Sequence, residues 1–177
     1  MERIDGGQPF LVVVDFAHTP NALERAIAAA RGMVGGEREQ GSRGEGEKGR
    51  VIAVFGSAGK RDVEKRRLMA GISIRAADLT VLTAEDPRTE SLDDILAMMS
   101  EAATAAGGVE GETFWRVPDR GQAIRFALEL ARPGDVVLLC GKGHEQSMCF
   151  GTVEYPWDDR AAARAAIAAW TRGEGMV

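Results

Sequence analysis

The sequence predicts an α/β fold in which helices cover both faces of a mostly parallel sheet. Short apolar runs alternate with helical patterns along almost the whole chain, as expected of repeated strand–helix units. The runs are continuous in their apolar residues, which is typical of parallel strands buried on both faces. We therefore expect strands at residues 10–14, 51–55, 79–82, 113–117 and 136–140.

A helical pattern follows each of these runs. Thr19 or Asn21 can cap the first helix, expected at 21–33, and Pro20 suits its first turn. The last strand is introduced by the turn signal Pro133-Gly134-Asp135. Further helices are expected at 63–77, 92–106, 120–131 and 158–171, and residues 146–155 are expected to add an antiparallel edge strand or a hairpin.

The composition indicates one domain, or one domain with a short appendage. With 177 residues, 45% hydrophobic and 28% charged, the chain can bury a core and does not resemble a disordered protein. A net charge of −5 gives no reason to expect nucleic acid or an anionic membrane as a partner. Residues 35–49 are rich in Gly and charge and contain no apolar residue, so they predict a flexible surface loop.

The sequence predicts a cytoplasmic location. Its N-terminus lacks the basic start and the apolar stretch of a signal peptide. No run approaches the roughly 20 apolar residues that a membrane span needs. Cys140 and Cys149 are interpreted as inert reduced thiols, and no cluster of Cys and His indicates a metal site.

Residues 141–145, Gly-Lys-Gly-His-Glu, directly follow the last predicted strand. Ligands of an open α/β sheet bind beyond the carboxyl ends of its strands. The two glycines allow a ligand to approach the backbone closely, while Lys142, His144 and Glu145 offer a cation, a titratable group and an anion. A solvated, charged turn is the alternative interpretation.

The loop after the first strand contains three residues that capping does not explain, Asp15, Phe16 and His18. An acidic residue at a strand end can accept the hydroxyl groups of a ribose, and an aromatic ring beside a histidine can contact a purine. An ordinary capped turn remains the alternative.

The loop after the second strand, residues 56–62, resembles a phosphate-binding loop but has the wrong spacing. Two residues separate Gly56 from the Gly59-Lys60 pair, where the motif needs four, and Arg61 stands where Ser or Thr should follow. A looser anion site made of loop amides, Lys60 and Arg61 is still possible.

The loop after the third strand contains Glu85-Asp86-Pro87-Arg88. Pro87 forces Asp86 out of the helical region and stiffens the loop. Arg88 can bind a carboxylate through two parallel hydrogen bonds and Asp86 can bind an ammonium, which together suit an amino acid. An internal Asp–Arg ion pair is the alternative. All four loops should open onto one edge of the sheet.

Four segments, in this order, resemble the C-terminal domain of Mur ligases: VDFAHTPNALERAI, VFGSAGKRDVEKRRLM, TAEDPRTESLDDI and PGDVVLLCGKGHEQ. The most similar type is the UDP-MurNAc-L-Ala-D-Glu:diamino-acid ligase. The resemblance covers nearly all of residues 1–177 and implies a Rossmann-like, mostly parallel sheet of about six strands with helices on both faces. It also implies an enzyme of peptidoglycan synthesis that uses ATP and Mg²⁺ to activate a dipeptide carboxylate, which the amine of a diamino acid then attacks.

The resemblance also assigns site residues. Asp15, Phe16 and His18 would lie against the ATP nucleoside. Seven residues would bind the diamino acid, with Glu145 holding its distal ammonium: Arg61, Glu85, Asp86, Pro87, Arg88, Gly141 and Glu145. No catalytic residue and no metal ligand is assigned to this domain.

One departure from the family pattern concerns the choice of amino acid. Asp86 stands where diaminopimelate-adding members usually have Asn. A carboxylate there would repel the distal carboxylate of diaminopimelate and attract an amine, which favours lysine or ornithine. Arg88 favours diaminopimelate, so the sequence leaves all three open.

A second departure is that no nucleotide phosphate loop and no UDP-sugar-binding region occur in the sequence. In the family these belong to the N-terminal and central domains, and the central domain mainly holds the Mg²⁺ and the triphosphate. We therefore expect an excised domain that is inactive in isolation. A stand-alone binding module of the same fold and a folylpolyglutamate synthase-like ligase domain are the competing hypotheses, although Asp86 and Glu145 suit a diamino acid better than glutamate.

Overall fold

A six-stranded sheet forms the centre of the fold. The computed structural model describes residues 1–35 and 49–173. The sheet has the order β1-β2-β6-β3-β4-β5, with β1 antiparallel to β2 and all other neighbours parallel. Its strands are β1 (Glu2–Ile4), β2 (Leu11–Asp15), β3 (Val51–Phe55), β4 (Leu79–Leu82), β5 (Phe114–Arg116) and β6 (Val136–Cys140).

Helices cover both faces of this sheet. The helices are α1 (Pro20–Met33), α2 (Val63–Ala76), α3 (Leu92–Ala105), α4 (Arg120–Leu130) and α5 (Asp159–Thr171). The first three pack against one face, where Leu23, Met69 and Ile95 are buried with the inward side chains of the central strands. The other two pack against the opposite face through Ile124 and Ile167. Both faces of β3 and β6 are therefore buried, which explains their continuous apolar sequences.

A separate two-stranded hairpin follows β6. It consists of β7 (Ser147–Phe150) and β8 (Val153–Pro156). The hairpin does not join the edge of the main sheet among the described residues. It instead contacts the loop after β4, where an isolated bridge pairs Arg88 with Phe150.

The sequence predicted the main elements closely, and the fold class is confirmed. The five parallel strands and five helices lie within one or two residues of the predicted bounds, and the hairpin was one of the two alternatives for residues 146–155. The antiparallel strand β1 was not predicted, because three residues are too few to show a strand pattern. The predicted loop at 35–49 lies outside the described residues apart from Gly35 and Gly49. The Gly35 amide donates to the Gly134 carbonyl, and a side chain at residue 49 would collide with the same carbonyl oxygen.

None of the helices within residues 1–35 and 49–173 is long and apolar enough to cross a membrane. In the same part of the chain, no three His, Cys, Asp or Glu side chains are grouped so that they could hold a metal ion.

Candidate functional site

A cavity of about 240 Å³ opens at the carboxyl ends of the parallel strands. Each of the loops after β2, β3, β4 and β6 contributes to its wall, because parallel strands deliver their carboxyl ends to one edge of the sheet. The lining residues are Phe16, His18, Ala58, Arg61, Lys65, Glu85, Asp86, Arg88, Gly141 and Glu145. Eight of these ten were named by the sequence as site residues.

An aromatic cluster borders the cavity on the side of β2. The ring of Phe16 packs against two imidazoles, with centroid distances of 4.5 Å to His18 and 4.9 Å to His144. His18 Nδ1 lies 3.0 Å from the carbonyl oxygen of Phe16. A carbonyl can only accept, so this hydrogen bond places a proton on Nδ1. Phe16 is still 40% exposed, which leaves an apolar surface for a ligand ring.

Asp15 does not line the cavity. Its Oδ1 accepts a hydrogen bond from the Ala17 amide at 2.9 Å. This contact forms a side-chain turn that directs the chain from β2 towards the α1 cap at Thr19, whose hydroxyl accepts from Ala22. Among the described residues Asp15 therefore shapes the loop, while Phe16 and His18 form the cavity wall.

The loop after β3 is held against the loop after β4 by backbone and side-chain contacts. Gly59 packs so closely on the Pro87 carbonyl that no side chain would fit there, and its amide donates to the Asp86 carbonyl at 2.9 Å. The Lys60 amide donates to Glu90 Oε2 at 2.8 Å. Two amides of the anion site that the sequence allowed are therefore already bonded within the protein. Arg61 remains exposed at the cavity wall.

An ion pair between the buried Arg66 and the partly exposed Glu90 supports these two loops. The Arg66 guanidinium is fully buried and donates to both carboxylate oxygens of Glu90, at 2.5 and 3.1 Å. It also reaches the Ala58 carbonyl at 3.4 Å. The hydrogen bonds from Arg66 lower the pKa of Glu90 to about 2. This pair was not predicted from the sequence, because 24 residues separate Arg66 from Glu90.

Glu85 is a buried acid in the cavity wall. Only 6% of the residue is exposed, and its Oε2 makes no hydrogen bond within the described structure. Burial raises the pKa of Glu85 to about 7, although the nearby charges of Arg120 and Lys65 act in the opposite direction. Glu85 can therefore exist as a neutral acid or as an anion near neutral pH, which allows it to donate to or accept from a ligand.

Arg120 lies behind the cavity and ties two strand ends together. Its guanidinium donates to both oxygens of Asp159, at 2.8 and 2.6 Å. It also donates to the carbonyl oxygens of Ala84 and Cys140, at 3.1 and 2.8 Å. These carbonyls precede Glu85 and Gly141 directly, so Arg120 fixes the starting points of two cavity loops. Nothing in the sequence marked Arg120, since its partners lie 20 to 39 residues away.

Asp86 is already paired, which changes its expected role. Its carboxylate accepts two hydrogen bonds from the Lys142 ammonium, at 2.9 and 3.0 Å, and one from the Cys149 amide at 2.9 Å. The same ammonium lies 2.8 Å from Glu145 Oε2. The sequence suggested either that Asp86 binds a ligand amine or that it pairs with Arg88. Neither holds among the described residues, because Lys142 already pairs with the Asp86 carboxylate.

Arg88 is positioned by the hairpin. Its amide donates to the Cys149 carbonyl at 3.1 Å, and its carbonyl accepts from the Gly151 amide at 2.7 Å. Asp86 and Arg88 both have positive φ, at 42° and 55°. Such conformations cost energy in non-glycine residues and persist where surrounding contacts hold them, often at ligand sites. The Arg88 Nε is buried and makes no hydrogen bond with the described residues, so this side chain retains donor capacity for a ligand.

Comparison with known proteins identifies the family. The model of the family described as "Mur ligase, glutamate ligase domain" matches residues 1–143. The chain belongs to the Mur ligase family. The resemblance carried by the four strand-end segments is thereby confirmed.

Individual relatives agree with this assignment. The chain is 49% identical over 168 residues to the UDP-N-acetylmuramyl-tripeptide synthetase of Roseiflexus sp., with 95% of this chain and 30% of the relative covered. It is 41% identical over 166 residues to the UDP-N-acetylmuramoyl-L-alanyl-D-glutamate–2,6-diaminopimelate ligase of Geobacillus thermodenitrificans, with 94% and 30% covered. The chain thus spans about 30% of the length of these relatives.

A solved structure shows the same fold. A UDP-N-acetylmuramoyl-L-alanyl-D-glutamate–2,6-diaminopimelate ligase superposes with a TM-score of 0.80 at 34% identity, over 97% of this chain and 31% of that protein. The predicted Rossmann-like sheet is therefore confirmed. This chain corresponds to about 31% of the solved ligase.

Proposed function

We propose that residues 1–177 are the C-terminal domain of an ATP-dependent ligase that adds a diamino acid to UDP-MurNAc-L-Ala-D-Glu in peptidoglycan synthesis. One observation carries the proposal: a single cavity combines cationic, acidic and aromatic side chains from four strand-end loops. The names of the relatives, tripeptide synthetase and diaminopimelate ligase, support it.

The charged part of the cavity suits an amino acid with two amines. The guanidinium groups of Arg61 and Arg88 can bind carboxylates, and Arg88 retains a buried donor for this purpose. Glu145 can accept a hydrogen bond from the distal ammonium through the oxygen that Lys142 does not occupy. Gly141 lines the cavity beside these charged groups and leaves room for the Glu85 carboxylate.

The aromatic part of the cavity suits a nucleoside. The exposed part of the Phe16 ring can contact a base, and the imidazoles of His18 and His144 pack against the same ring. ATP would therefore meet this domain through Phe16 and His18. On the family resemblance, the Mg²⁺ and the triphosphate are assigned mainly to the central domain of the intact enzyme.

The pairing of Asp86 favours diaminopimelate over lysine or ornithine as the substrate. The sequence alone suggested that the Asp86 carboxylate would repel a distal carboxylate, but Lys142 neutralises it. Arg61, Lys65 and Arg88 then remain as cations at the cavity wall, and they complement a second carboxylate. The proposed enzyme would act on UDP-MurNAc-L-Ala-D-Glu and would contain an N-terminal and a central domain besides this one. We propose that it works in the cytoplasm.

Ligation assays with the full-length protein test the proposal. The assay supplies ATP, Mg²⁺ and UDP-MurNAc-L-Ala-D-Glu, and compares diaminopimelate, lysine, ornithine and glutamate by product formation and phosphate release. We expect diaminopimelate to give the highest kcat/KM and residues 1–177 alone to give no product. Glutamate as the best substrate would show that the cavity does not select a diamino acid, and absence of any ligation would support a binding module. Either result would overturn the proposal.

A further inference from the structure

Lys142 holds a buried ammonium between two acidic residues of the cavity wall. Its side chain is 1% exposed, and it lies between β6 and the loop after β4. The ammonium makes three contacts, to the two Asp86 oxygens at 2.9 and 3.0 Å and to Glu145 Oε2 at 2.8 Å. Lys142 does not itself line the cavity, so it acts on a ligand through these two carboxylates.

The contacts determine the charge state of this group. Burial alone lowers the pKa of Lys142, but the hydrogen bonds to Glu145 and Asp86 outweigh it and raise the pKa above its ordinary value. Lys142 is therefore a permanent cation, and an ammonium has three donors for the three acceptors that surround it. Removal of either partner would leave a buried charge with fewer compensating contacts.

We infer that Lys142 is a specificity-determining positioning residue, which neutralises Asp86 and orients Glu145 so that the cavity accepts an amino acid with a second carboxylate. The inference rests on the proposed function. Asp86, Lys142 and Glu145 together carry a net charge of −1. Without Lys142 the same wall would carry −2, which would repel the distal carboxylate of a diamino dicarboxylic acid more than it would repel lysine.

Replacement of Lys142 and replacement of Asp86 should have opposite effects on the substrate preference. Lys142→Met makes the wall more negative and should favour lysine relative to diaminopimelate. Asp86→Asn makes the wall less negative, and its side-chain oxygen can still accept from the Cys149 amide, so it should favour diaminopimelate. The double variant returns the wall to the wild-type net charge. A general loss of structure cannot produce this pattern, because it would not change the preference in both directions.

The experiment measures kcat/KM for diaminopimelate and for lysine in the full-length protein. The ratio of the two values should shift about tenfold towards lysine in Lys142→Met and about tenfold towards diaminopimelate in Asp86→Asn, as one uncompensated charge a few ångströms away from a ligand charge allows. The double variant Lys142→Met/Asp86→Asn should return towards the wild-type ratio. Arg67→Met is the matched control, because it removes an exposed cation of α2 outside the cavity and should leave the ratio unchanged.

The possible outcomes separate the inference from the proposed function. Opposite shifts with recovery in the double variant would support the inference. If Lys142→Met does not fold, Asp86→Asn and the double variant still test the inference. Asp86→Asn should shift the ratio of kcat/KM values, and the double variant should keep the wild-type ratio. If the wild type ligates diaminopimelate and the variants have the same ratio of kcat/KM values as the wild type, the inference alone would be overturned. Absence of ligation of any diamino acid by the wild type would overturn the proposed function and the inference with it.

Discussion

The carboxylate of Glu85 fills the space that a side chain at residue 141 would need. A Cβ added to Gly141 would overlap Glu85 Oε2, and Gly141 has a φ of 108° that only glycine adopts without strain. Glu85 follows β4 and Gly141 follows β6, two strands that β3 separates in the sheet, and both residues line the cavity. The loops after β4 and β6 therefore fit together only because residue 141 has no side chain.

Gly141→Ala should disrupt this fit. We expect a loss of about 2 kcal/mol or more in the free energy of unfolding, since a strained backbone and a steric overlap act together. Urea denaturation measures it. Gly107→Ala is the matched control, because Gly107 also has positive φ, at 97°, but a Cβ there would meet no atom within 4 Å. Equal losses in the two variants would show that the contact with Glu85 contributes nothing.

Glu85→Gln should change how stability depends on pH. Burial raises the pKa of Glu85 from 4.5 to about 7, so the folded protein retains a proton that the unfolded chain releases. Its contribution to stability is full below about pH 4.5 and is lost as the pH rises through 7. Glu85→Gln removes this dependence. Between pH 4 and 8, its free energy of unfolding should rise by up to about 3 kcal/mol relative to that of the wild type.

Urea denaturation between pH 4 and 8 checks the prediction for Glu85. The exposed Glu112 provides the control, because Glu112→Gln should leave the pH profile of the wild type unchanged. A constant difference between Glu85→Gln and the wild type over this range would show that Glu85 titrates normally in the folded protein.

Glu145→Gln should weaken use of the amino acid in the full-length enzyme. The amide that replaces one carboxylate oxygen cannot accept from a ligand ammonium, and Lys142 loses part of its charge compensation. We expect the KM for the diamino acid to rise about tenfold, as for the loss of one charge-assisted hydrogen bond, while the affinity for nucleotide is unchanged. Steady-state kinetics at saturating ATP provide the test, and an unaltered KM would exclude Glu145 from the pocket.

Glu90→Gln should separate the loops after β3 and β4. It leaves the buried Arg66 guanidinium without its carboxylate, at a cost of about 3 kcal/mol at pH 7. The pKa of Glu90 is lowered to about 2, mainly by the hydrogen bonds from Arg66. The stabilisation that the ionised Glu90 gives to the folded protein is present above about pH 4.5 and is lost as the pH falls through 2. The difference in unfolding free energy between the variant and the wild type should therefore shrink between pH 4.5 and 2, and a difference that persists at pH 2 would contradict the assignment.

Arg120→Met should be among the most destabilising single changes near the site. It leaves Asp159 as an unpaired buried charge and removes the donors to the carbonyls of Ala84 and Cys140, at a cost of about 4 kcal/mol. The control is Arg116→Met, since the Arg116–Glu110 pair is 42% exposed at both side chains and should contribute little. Thermal unfolding of both variants measures the contrast, and similar midpoints would contradict a structural role for Arg120.

Much of the site was accessible from the sequence because a parallel sheet gathers the ends of its strands. Once the apolar runs at β2, β3, β4 and β6 were recognised, the polar residues that follow them had to lie at one edge. Phe16, His18, Arg61, Arg88 and Glu145 were predicted on this basis or through the family resemblance. Asp15 was expected to lie against the nucleoside, but it is not among the residues that line the cavity. Its side chain instead accepts from the Ala17 amide, a local turn that the sequence pattern did not reveal.

The pairing of charges could not be predicted in the same way. The sequence shows that Asp86, Lys142 and Glu145 are charged, but 56 residues separate Asp86 from Lys142, and the sign of the wall depends on which of them touch. The same holds for Arg120 with Asp159 and for Arg66 with Glu90. By itself the sequence determined the fold class, the four loops and the family, because these depend on local patterns. The tertiary structure alone decided which charges are compensated and how deeply Glu85 is buried, because electrostatic energies depend on distances and solvent exclusion that no local pattern encodes.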